Sequence, residues 1–179
     1  MSKPAISVAM SVFNCERYLA SAIESILAQT FGDFEFLILN DGSTDGSAAI
    51  IDHYASRDQR IRAIHRGNCG LIASLNQLLA EARAPIIARM DADDLAIPER
   101  FERQYAFLEA HPDYGVVSSW TDDIDAEGRI MSEHTASHPT DHAGFLEAVH
   151  HRTPLCHPAA MYRRDLVLQV GGYHPAFRH

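Results

Sequence analysis

The sequence predicts an α/β protein with a doubly wound, mostly parallel sheet flanked by helices. Several short runs are almost continuously apolar and rich in Ile, Val, Leu and Phe, as expected for strands buried on both faces. Segments of helical period alternate with these runs, which is the order that a parallel sheet requires. The 179 residues suit a single domain with one core.

Two strand–helix units open the chain. Residues 6–12 and 34–39 are the predicted strands. Residues 16–29 and 47–54 place apolar side chains along one stripe at helical spacing, so each helix can pack one face on the sheet. These four segments predict two consecutive parallel units.

The next elements continue the alternation. Residues 61–64 and 85–90 are the predicted third and fourth strands, with a leucine-striped helix at 71–82 between them. Pro98 suits the first turn of the following helix, where a backbone N–H is not needed. Residues 115–120 then predict a further strand.

The pattern weakens after Asp122, where we predict a loop. A helix near residues 141–150, a strand near 159–162 and a short helix at 164–170 follow. Ligands of doubly wound sheets bind beyond the carboxyl ends of the strands, so the loops after the first, second and fourth strands are the candidates for a site.

Charge limits the partners of the protein. The formal net charge of -9 argues against a nucleic-acid partner, because affinity for a phosphate backbone comes from clustered Lys and Arg. An acidic protein can still bind an anionic nucleotide when a divalent cation lies between the two sets of negative groups.

Cysteine usage and hydropathy predict the compartment. Cys15, Cys69 and Cys156 fit neither a disulfide framework nor a paired-cysteine zinc site. The N-terminal apolar stretch is too short for a secretory signal, and no run approaches the ~18 apolar residues needed to span a bilayer. We predict a cytoplasmic protein and leave open a peripheral location at the inner face of the membrane.

The fourth predicted strand runs directly into an acidic segment with Asp91, Asp93 and Asp94. Residues i and i+2 of an extended chain point the same way, so Asp91 and Asp93 can face one ligand. Two carboxylates at the mouth of a sheet suit Mg²⁺ or Mn²⁺ bound to a substrate diphosphate. The alternative is an acidic turn that caps the next helix, and the short motif alone favours that alternative.

Polar and aromatic residues also follow the first two strands. Asp41 is placed to accept hydrogen bonds from a nucleotide base or ribose, or else to stabilise the turn at Gly42. Phe13 and Asn14 can supply an aromatic wall and an amide contact to the same base, or only pack and cap the helix at Glu16. These alternatives stay open for each residue in isolation.

Histidines and arginines give weaker indications. Arg66, Arg89 and Arg163 either meet a phosphate or extend along the surface. Six of the eleven histidines are in the less regular second half, without a ligand arrangement on a predicted helix. We predict scattered surface histidines rather than a zinc site; the six are His134, His138, His142, His150, His151 and His157.

Segments along almost the whole chain together resemble a known family. The principal ones are residues 7–14, 22–30, 40–45 and 88–94. The likeness continues through residues 68–71 with Asn76, then 98–104, 157–158 and 171–173. Jointly these motifs are similar to the family-two glycosyltransferases of GT-A fold. Asn40 and Ser11 depart from the family pattern, which often has Asp and Pro at these positions.

The resemblance implies inverting transfer from a nucleotide sugar, most often a UDP-sugar, to a glycan or lipid-linked acceptor, with a divalent metal. It implies that Asp41 contacts uracil or ribose, Asp91 the ribose and metal, and Asp93 the metal and diphosphate. Phe13 and Asn14 would line the base pocket.

The resemblance also divides the chain. We expect a single catalytic-type domain over residues 1–179, with a nucleotide-sugar-binding half at 1–95 and the start of an acceptor half at 96–179. His157 would lie near the acceptor side. The family's general base, an acidic residue soon after the segment like 171–173, is expected beyond His179. An acceptor hydroxyl needs such a base, so we expect this chain to bind donor but to transfer sugar poorly.

Two other functional classes remain open at this point. One is a non-catalytic nucleotide-sugar-binding module, and the other is a metal-dependent phosphatase or nucleotidyltransferase, which also uses paired aspartates at strand ends. The chain has neither a Gly-x-Gly-x-x-Gly nor a Gly-x-x-x-x-Gly-Lys-Ser/Thr pattern, so dinucleotide oxidoreductases and P-loop proteins are disfavoured.

Overall fold

A computed structural model describes residues 3–133 and 138–176. Its first half alternates strands and helices: β1 (Ile6–Val12), α1 (Glu16–Leu27), β2 (Phe34–Asp41), α2 (Ser47–Ala55), β3 (Ile61–Arg66), α3 (Leu71–Glu81), β4 (Ile86–Asp91) and α4 (Arg100–Ala110). The second half contains shorter elements: β5 (Val116–Val117), β6 (Asp123–Ile124), β7 (Ile130–Ser132), α5 (His142–Ala148), a 3₁₀ turn (His157–Ala159), β8 (Met161–Arg163) and α6 (Arg164–Gln169).

Six strands form the main sheet in the order β3-β2-β1-β4-β8-β5. The first four run parallel, because each is joined to the next by a helix that returns the chain to the same edge. β8 runs antiparallel to both β4 and β5. This topology confirms the predicted doubly wound, mostly parallel fold.

Apolar side chains pack on both faces of the sheet. One face contacts α1 and α4, with Leu19, Ile23 and Phe101 fully buried. The other contacts α3 through Leu78 and Leu79. Each such side chain contributes roughly 1.5–3 kcal/mol when it is fully buried. Continuous burial along β1 and β2 explains why their sequences are apolar without alternation.

Two helices have boundaries that differ from the prediction, and in both places hydrogen bonds join the segment after α1 to the segment before α4. The first helix stops at Leu27, since the Gln29 side chain donates to the Ile97 carbonyl and accepts from the Phe101 N–H. The helix predicted from Pro98 begins at Arg100, and the Pro98 carbonyl accepts from the Thr30 N–H instead.

The largest corrections are in the second half. The strand predicted at 115–120 is only Val116–Val117, because its partner β8 is itself three residues long. The loop predicted after Asp122 contains an antiparallel hairpin, β6–β7, which turns at Gly128 with φ of 79°. The strand predicted at 159–162 begins at Met161, since the residues before it form the 3₁₀ turn.

No helix in the described ranges combines the length and the hydrophobicity that crossing a bilayer requires.

Candidate active site

The loops after β1, β2 and β4 meet at the carboxyl edge of the sheet. Strand register places Ser11 directly between Leu39 of β2 and Asp91 of β4. Neighbouring strands are about 4.8 Å apart, so the ends of β2 and β4 are separated by roughly 10 Å across β1. Asp41 and Asp91 therefore flank the end of β1, as the positions of strand ends in the sequence predict.

The loops that follow β1 and β2 are bonded to each other. The Asn14 side-chain oxygen accepts from the Thr44 N–H at 2.8 Å, and the Asn14 N–H donates to Ser43 Oγ at 3.0 Å. Asn14 has a positive φ of 52°, a conformation that Asn tolerates better than most residues. The Asn14 amide thus organises this loop pair, whatever further contact it makes with a ligand.

The same two loops cap the starts of α1 and α2 reciprocally. Asp45 Oδ2 accepts from the Glu16 N–H at 3.0 Å, while Glu16 Oε2 accepts from the Gly46 N–H at 2.6 Å. Asp45 Oδ1 also accepts from the N–H of Ser47, the first residue of α2. Helix N-termini carry unpaired N–H groups, which these carboxylates satisfy.

Phe13 directly follows β1 and is 54% exposed. Large aromatic side chains are usually buried in a domain of this size, so an exposed ring beside a row of polar loops is available to a ligand. Its position is compatible with the predicted wall of a base pocket.

Asp41 is buried in a hydrogen-bonded network. Its Oδ1 accepts from Arg66 Nε at 2.8 Å and from the Cys69 N–H at 3.1 Å. Its Oδ2 accepts from the Gly70 N–H at 2.8 Å. The side chain therefore holds the loop before α3, as in the turn-stabilising alternative, while Oδ2 keeps acceptor capacity for one further donor.

Arg66 completes this network on the α3 side. Its two terminal nitrogens donate to Gln77 Oε1 and Ser74 Oγ, each at 2.8 Å. Arg66 is thus a partner of Asp41 and not a surface side chain. Arg163 has a different role, because it donates to the carbonyls of Leu108 and Tyr114 and ties β8 to the end of α4.

Asp91, Asp93 and Asp94 concentrate negative charge at the end of β4. Burial raises the pKa of the Asp94 carboxyl, and the charges of Asp91 and Asp93 raise it further. Asp93 is exposed, and the Asp91 side chain is 36% exposed. Both therefore have oxygens that a ligand can reach.

The same negative charge acts on Cys15, at the start of α1. Burial, together with the charges of Asp93, Asp45 and Asp91, raises the pKa of the Cys15 thiol to about 11. The thiol is consequently protonated at neutral pH and is a poor nucleophile. This shift also indicates that aspartates from two different loops converge on one region.

Arg89 is buried beneath this acidic segment. Its side chain is 3% exposed and forms an ion pair with Asp91 through Nη1. Neither Nε nor Nη1 has a hydrogen-bond partner of suitable geometry among the described residues. Arg89 is thus a buried cation that holds Asp91 from below.

The carboxylates fit a divalent cation only in part. Nowhere in the described part of the chain do three His, Cys, Asp or Glu side chains form a group that holds a metal by itself. Mg²⁺ and Mn²⁺ are commonly bound by one or two carboxylates together with substrate phosphates and water. The accessible oxygens of Asp91 and Asp93 fit that kind of shared site. The charges of both carboxylates also raise the pKa of Asp94, so negative charge is concentrated here.

A cleft of about 440 Å³ adjoins Asp93. It is bounded by Arg17 and Tyr18 of α1 and by the turn of the β6–β7 hairpin. Neither Asp41 nor Asp91 lines it. Of the three aspartates assigned to the site, Asp93 is therefore the one that lines this cleft.

His157 lies at the start of the 3₁₀ turn that leads into β8. Its Nε2 is 3.0 Å from the hydroxyl of Tyr173, which is itself 3.0 Å from the hydroxyl of Tyr162. His134 lies outside the described residues. The interpretation of the second-half histidines as scattered surface residues stays a prediction.

Several residues of this region were not singled out from the sequence. Ser74 and Gln77 support Arg66, and Arg100 is buried with its guanidinium donating to the Arg89 carbonyl at 2.7 Å. Burial lowers the pKa of Arg100 to about 10. For Arg100, the sequence offers one indication, which is a cationic residue on the buried face of α4. That position alone does not reveal which group the guanidinium contacts.

Comparisons with known proteins agree with this architecture. EpsE of Bacillus subtilis is 40% identical over 174 residues, which are 96% of this chain and 61% of EpsE. Staphylococcus aureus TarS 1-349, solved in complex with UDP-GlcNAc, superimposes with a TM-score of 0.76 at 22% identity, over 95% of this chain and 48% of TarS. The mannosyltransferase PcManGT from Pyrobaculum calidifontis, in complex with GDP-Man and Mn²⁺, gives 0.70 at 18% identity, over 96% and 48%.

The chain thus spans about three fifths of the length of EpsE. The two solved structures confirm the fold class. Because their sequence identity to this chain is low, they show the fold alone. Residues 7–171 match the model of Glycosyl transferase family 2, and this match includes every motif on which the resemblance was based except the last two residues of the Gly-Gly-Tyr segment. The chain therefore belongs to glycosyl transferase family 2.

Proposed function

We propose that this chain is the donor-binding part of a glycosyltransferase that transfers a sugar with inversion from a nucleotide sugar, specifically a UDP-sugar, using Mn²⁺ or Mg²⁺. The observation that carries the proposal is the charge arrangement at the sheet edge. Asp91 and Asp93 are accessible carboxylates whose charges both act on Asp94, and Asp41 lies two strands away, with the exposed Phe13 following the strand between them.

The spacing of these residues suits an extended nucleotide. Phe13 would stack on the base, while Asn14 would contact its edge and Asp41 would accept from the base or ribose through Oδ2. Asp91 would contact the ribose and the metal. A base on one side and a diphosphate on the other would thereby bridge the roughly 10 Å between the ends of β2 and β4.

Asp91 and Asp93 would hold the metal at the diphosphate. When bound, a divalent cation stabilises the negative charge that develops on the departing nucleoside diphosphate. Arg89 would orient the Asp91 carboxylate through its ion pair. His157 is proposed on the acceptor side, and the acceptor is proposed to be a glycan or a lipid-linked glycan.

PcManGT was solved with a nucleotide sugar and Mn²⁺, and TarS with UDP-GlcNAc, which supports the donor class and the metal without choosing the sugar. The acidic net charge is also consistent with the proposal, because a cation would separate the diphosphate from the carboxylates. A cytoplasmic location, with or without attachment to the membrane, remains our prediction.

The test is calorimetric titration of UDP and, separately, GDP into the protein with Mn²⁺ and then with excess EDTA. We expect saturable binding of UDP with Mn²⁺ that is lost in EDTA. Binding that is indifferent to EDTA would refute the metal-bridged site. Stronger binding of GDP than of UDP would replace the uridine assignment.

Turnover separates the functional classes. Incubating the Mn²⁺-loaded protein with UDP and measuring free phosphate tests the phosphatase alternative, because UDP, unlike UDP-glucose, carries a terminal phosphate group. We expect no phosphate release. Phosphate released without an acceptor would favour the phosphatase, and donor binding that never leads to transfer in any longer form of the protein would favour the non-catalytic module.

A further inference from the structure

A single side chain ties residues 171–173 to α3. Asn76 Oδ1 accepts from the Tyr173 N–H, and Asn76 Nδ2 donates to the Tyr173 carbonyl, both at 2.8 Å. One amide thus satisfies both backbone groups of a residue 97 positions away, as a neighbouring strand would. We call this reciprocal pair the Asn76 clamp.

Gly172 is required for the clamp to close. A Cβ at Gly172 would lie 2.6 Å from Asn76 Oδ1, which is closer than any real contact of this kind. Gly171 also has a positive φ, of 90° compared with 76° for Gly172, but a Cβ there would meet nothing within 4 Å. The two glycines therefore share backbone strain and differ in contact with Asn76.

The clamp fixes where the Tyr173 ring lies. The Tyr173 hydroxyl is held between Tyr162 and His157, at 3.0 Å from each partner atom. Burial raises the pKa of Tyr173 and Tyr162, so both hydroxyls stay protonated at neutral pH and can donate hydrogen bonds. The positive charge of Arg89 acts on both hydroxyls, which places them beside the cation that pairs with Asp91.

This group of side chains has the chemistry of a sugar-binding wall. Arg89 is 2% exposed and pairs with Asp91 through Nη1, while its Nε lacks a hydrogen-bond partner among the described residues, which is costly for a buried donor. The hydroxyls of Tyr162 and Tyr173 and the imidazole of His157 offer donors and acceptors to a ligand rich in hydroxyl groups. In the proposed binding mode, the transferred sugar is attached to the diphosphate that Asp91 and Asp93 hold through the metal, and Arg89 pairs with Asp91.

We propose that Asn76 and Gly172 are positioning residues that hold Tyr173 as one wall of the pocket for the donor sugar, at its border with the acceptor side, where His157 contacts the Tyr173 hydroxyl. This inference rests on the proposed function. It assigns Tyr173 to recognition of the sugar, while the nucleotide is bound by the residues at the ends of β1, β2 and β4.

The clamp is tested directly by amide hydrogen exchange in the wild type and in Asn76→Ala. We expect the Tyr173 N–H to be protected in the wild type and to lose at least about tenfold in protection in the variant, with the amides of β1 unchanged. Equal exchange of the Tyr173 N–H in both proteins would overturn the proposal.

Recognition of the sugar is tested by the ratio of two dissociation constants, Kd for a nucleotide sugar and Kd for its nucleoside diphosphate, measured with Mn²⁺. The probes are UDP-glucose, UDP-GlcNAc and GDP-mannose against UDP and GDP, using the sugar that the wild type binds most tightly. Tyr173→Phe and Gly172→Ala should raise this ratio about tenfold, as expected for one lost hydrogen bond in a desolvated site.

Gly171→Ala is the matched control, since it adds the same methyl group to a similarly strained backbone without reaching Asn76. It should leave the ratio within about twofold of the wild type. An unchanged ratio in Gly172→Ala and Tyr173→Phe, or an equal rise in Gly171→Ala, would overturn the assignment. A wild type that binds neither UDP nor GDP would instead reject the proposed function and the inference together.

Discussion

The two ends of the central strands place carboxylates in opposite circumstances. At the amino end, Glu35 is 2% exposed and accepts from Ser7 Oγ, from the Arg83 N–H and side chain, and from Arg62. Burial raises the pKa of Glu35, but these hydrogen bonds lower it more, and the net pKa is below the ordinary 4.5. Every acceptor direction is used within the protein.

At the carboxyl end, the Asp91–Asp94 segment has far fewer donors and several like charges. Within residues 3–133 and 138–176, Arg89 is the one cation that pairs with Asp91, and the pKa of Asp94 is raised by burial and by the charges of Asp91 and Asp93. The comparison teaches that a carboxylate with a complete set of partners stabilises the fold, whereas carboxylates left with repulsion among themselves are available to a cation. The predictions below test this difference, beginning with the largest expected effect.

Replacing Asp93 should have the largest effect on binding. Asp93→Ala should weaken Mn²⁺-dependent UDP binding roughly 100-fold, because one of two protein ligands to the metal is lost. Its thermal midpoint should not fall, since Asp93 is exposed and repels its neighbours. Calorimetric titration and a thermal melt measure both quantities, with the exposed Asp113→Ala as control. Unchanged UDP affinity in Asp93→Ala would reject the metal site.

Replacing Glu35 should have the reverse pattern. Glu35→Gln should lower the free energy of unfolding by about 2 kcal/mol, because buried donors around it lose their charged acceptor. UDP affinity should stay the same, since Glu35 lies at the opposite edge of the sheet. Urea denaturation measures the stability. A variant as stable as the wild type would show that the amino-end network is not a stabilising feature.

Asp41 combines both kinds of environment and should give an intermediate result. Asp41→Asn should reduce stability and UDP binding by about 1 kcal/mol each, which for binding is about fivefold. The stability loss follows from the bonds to Arg66 and to the loop before α3, and the affinity loss from the acceptor capacity of Oδ2. A loss of stability alone would assign Asp41 to the turn and remove it from the nucleotide site.

Acid titration should give the smallest and most gradual effect. The pKa of Glu35 is lower in the folded protein than in the unfolded chain, so its contribution to stability is complete above pH 4.5 and declines as pH falls through the folded pKa. The stability difference between the wild type and Glu35→Gln should therefore shrink below pH 4.5. Urea melts at a series of pH values measure it, and a difference that grows on acidification would contradict the sign.

Much of the fold could be predicted because local patterns determine it. The continuous apolar runs of β1 and β2 are typical of parallel strands that are buried on both faces. The helix α1 between them carries a clear apolar stripe. The hairpin β6–β7 escaped prediction because its residues are exposed, so no burial pattern marks them. The Gly128 turn between Ile124 and Ile130 was the available indication.

The site divides in the same way. Acidic residues at strand ends could be located from the sequence, since the parallel fold brings those ends to one edge. The partners of these residues could not, because Arg66 reaches Asp41 across 25 positions and Asn76 reaches Tyr173 across 97. Whether Arg89 meets a phosphate or a carboxylate likewise depends on the tertiary packing beneath Asp91.

The reciprocal caps between the loops after β1 and β2 have a consequence for engineering. Asn14, Glu16 and Asp45 satisfy groups on the opposite loop, so a substitution in one loop leaves an unpaired N–H in the other. A library intended to change base selectivity by varying the Phe13 loop alone would mainly yield damaged variants. Randomising residues 13–16 together with 43–47 would let compensating pairs emerge, and the recovered sequences should covary between the two stretches.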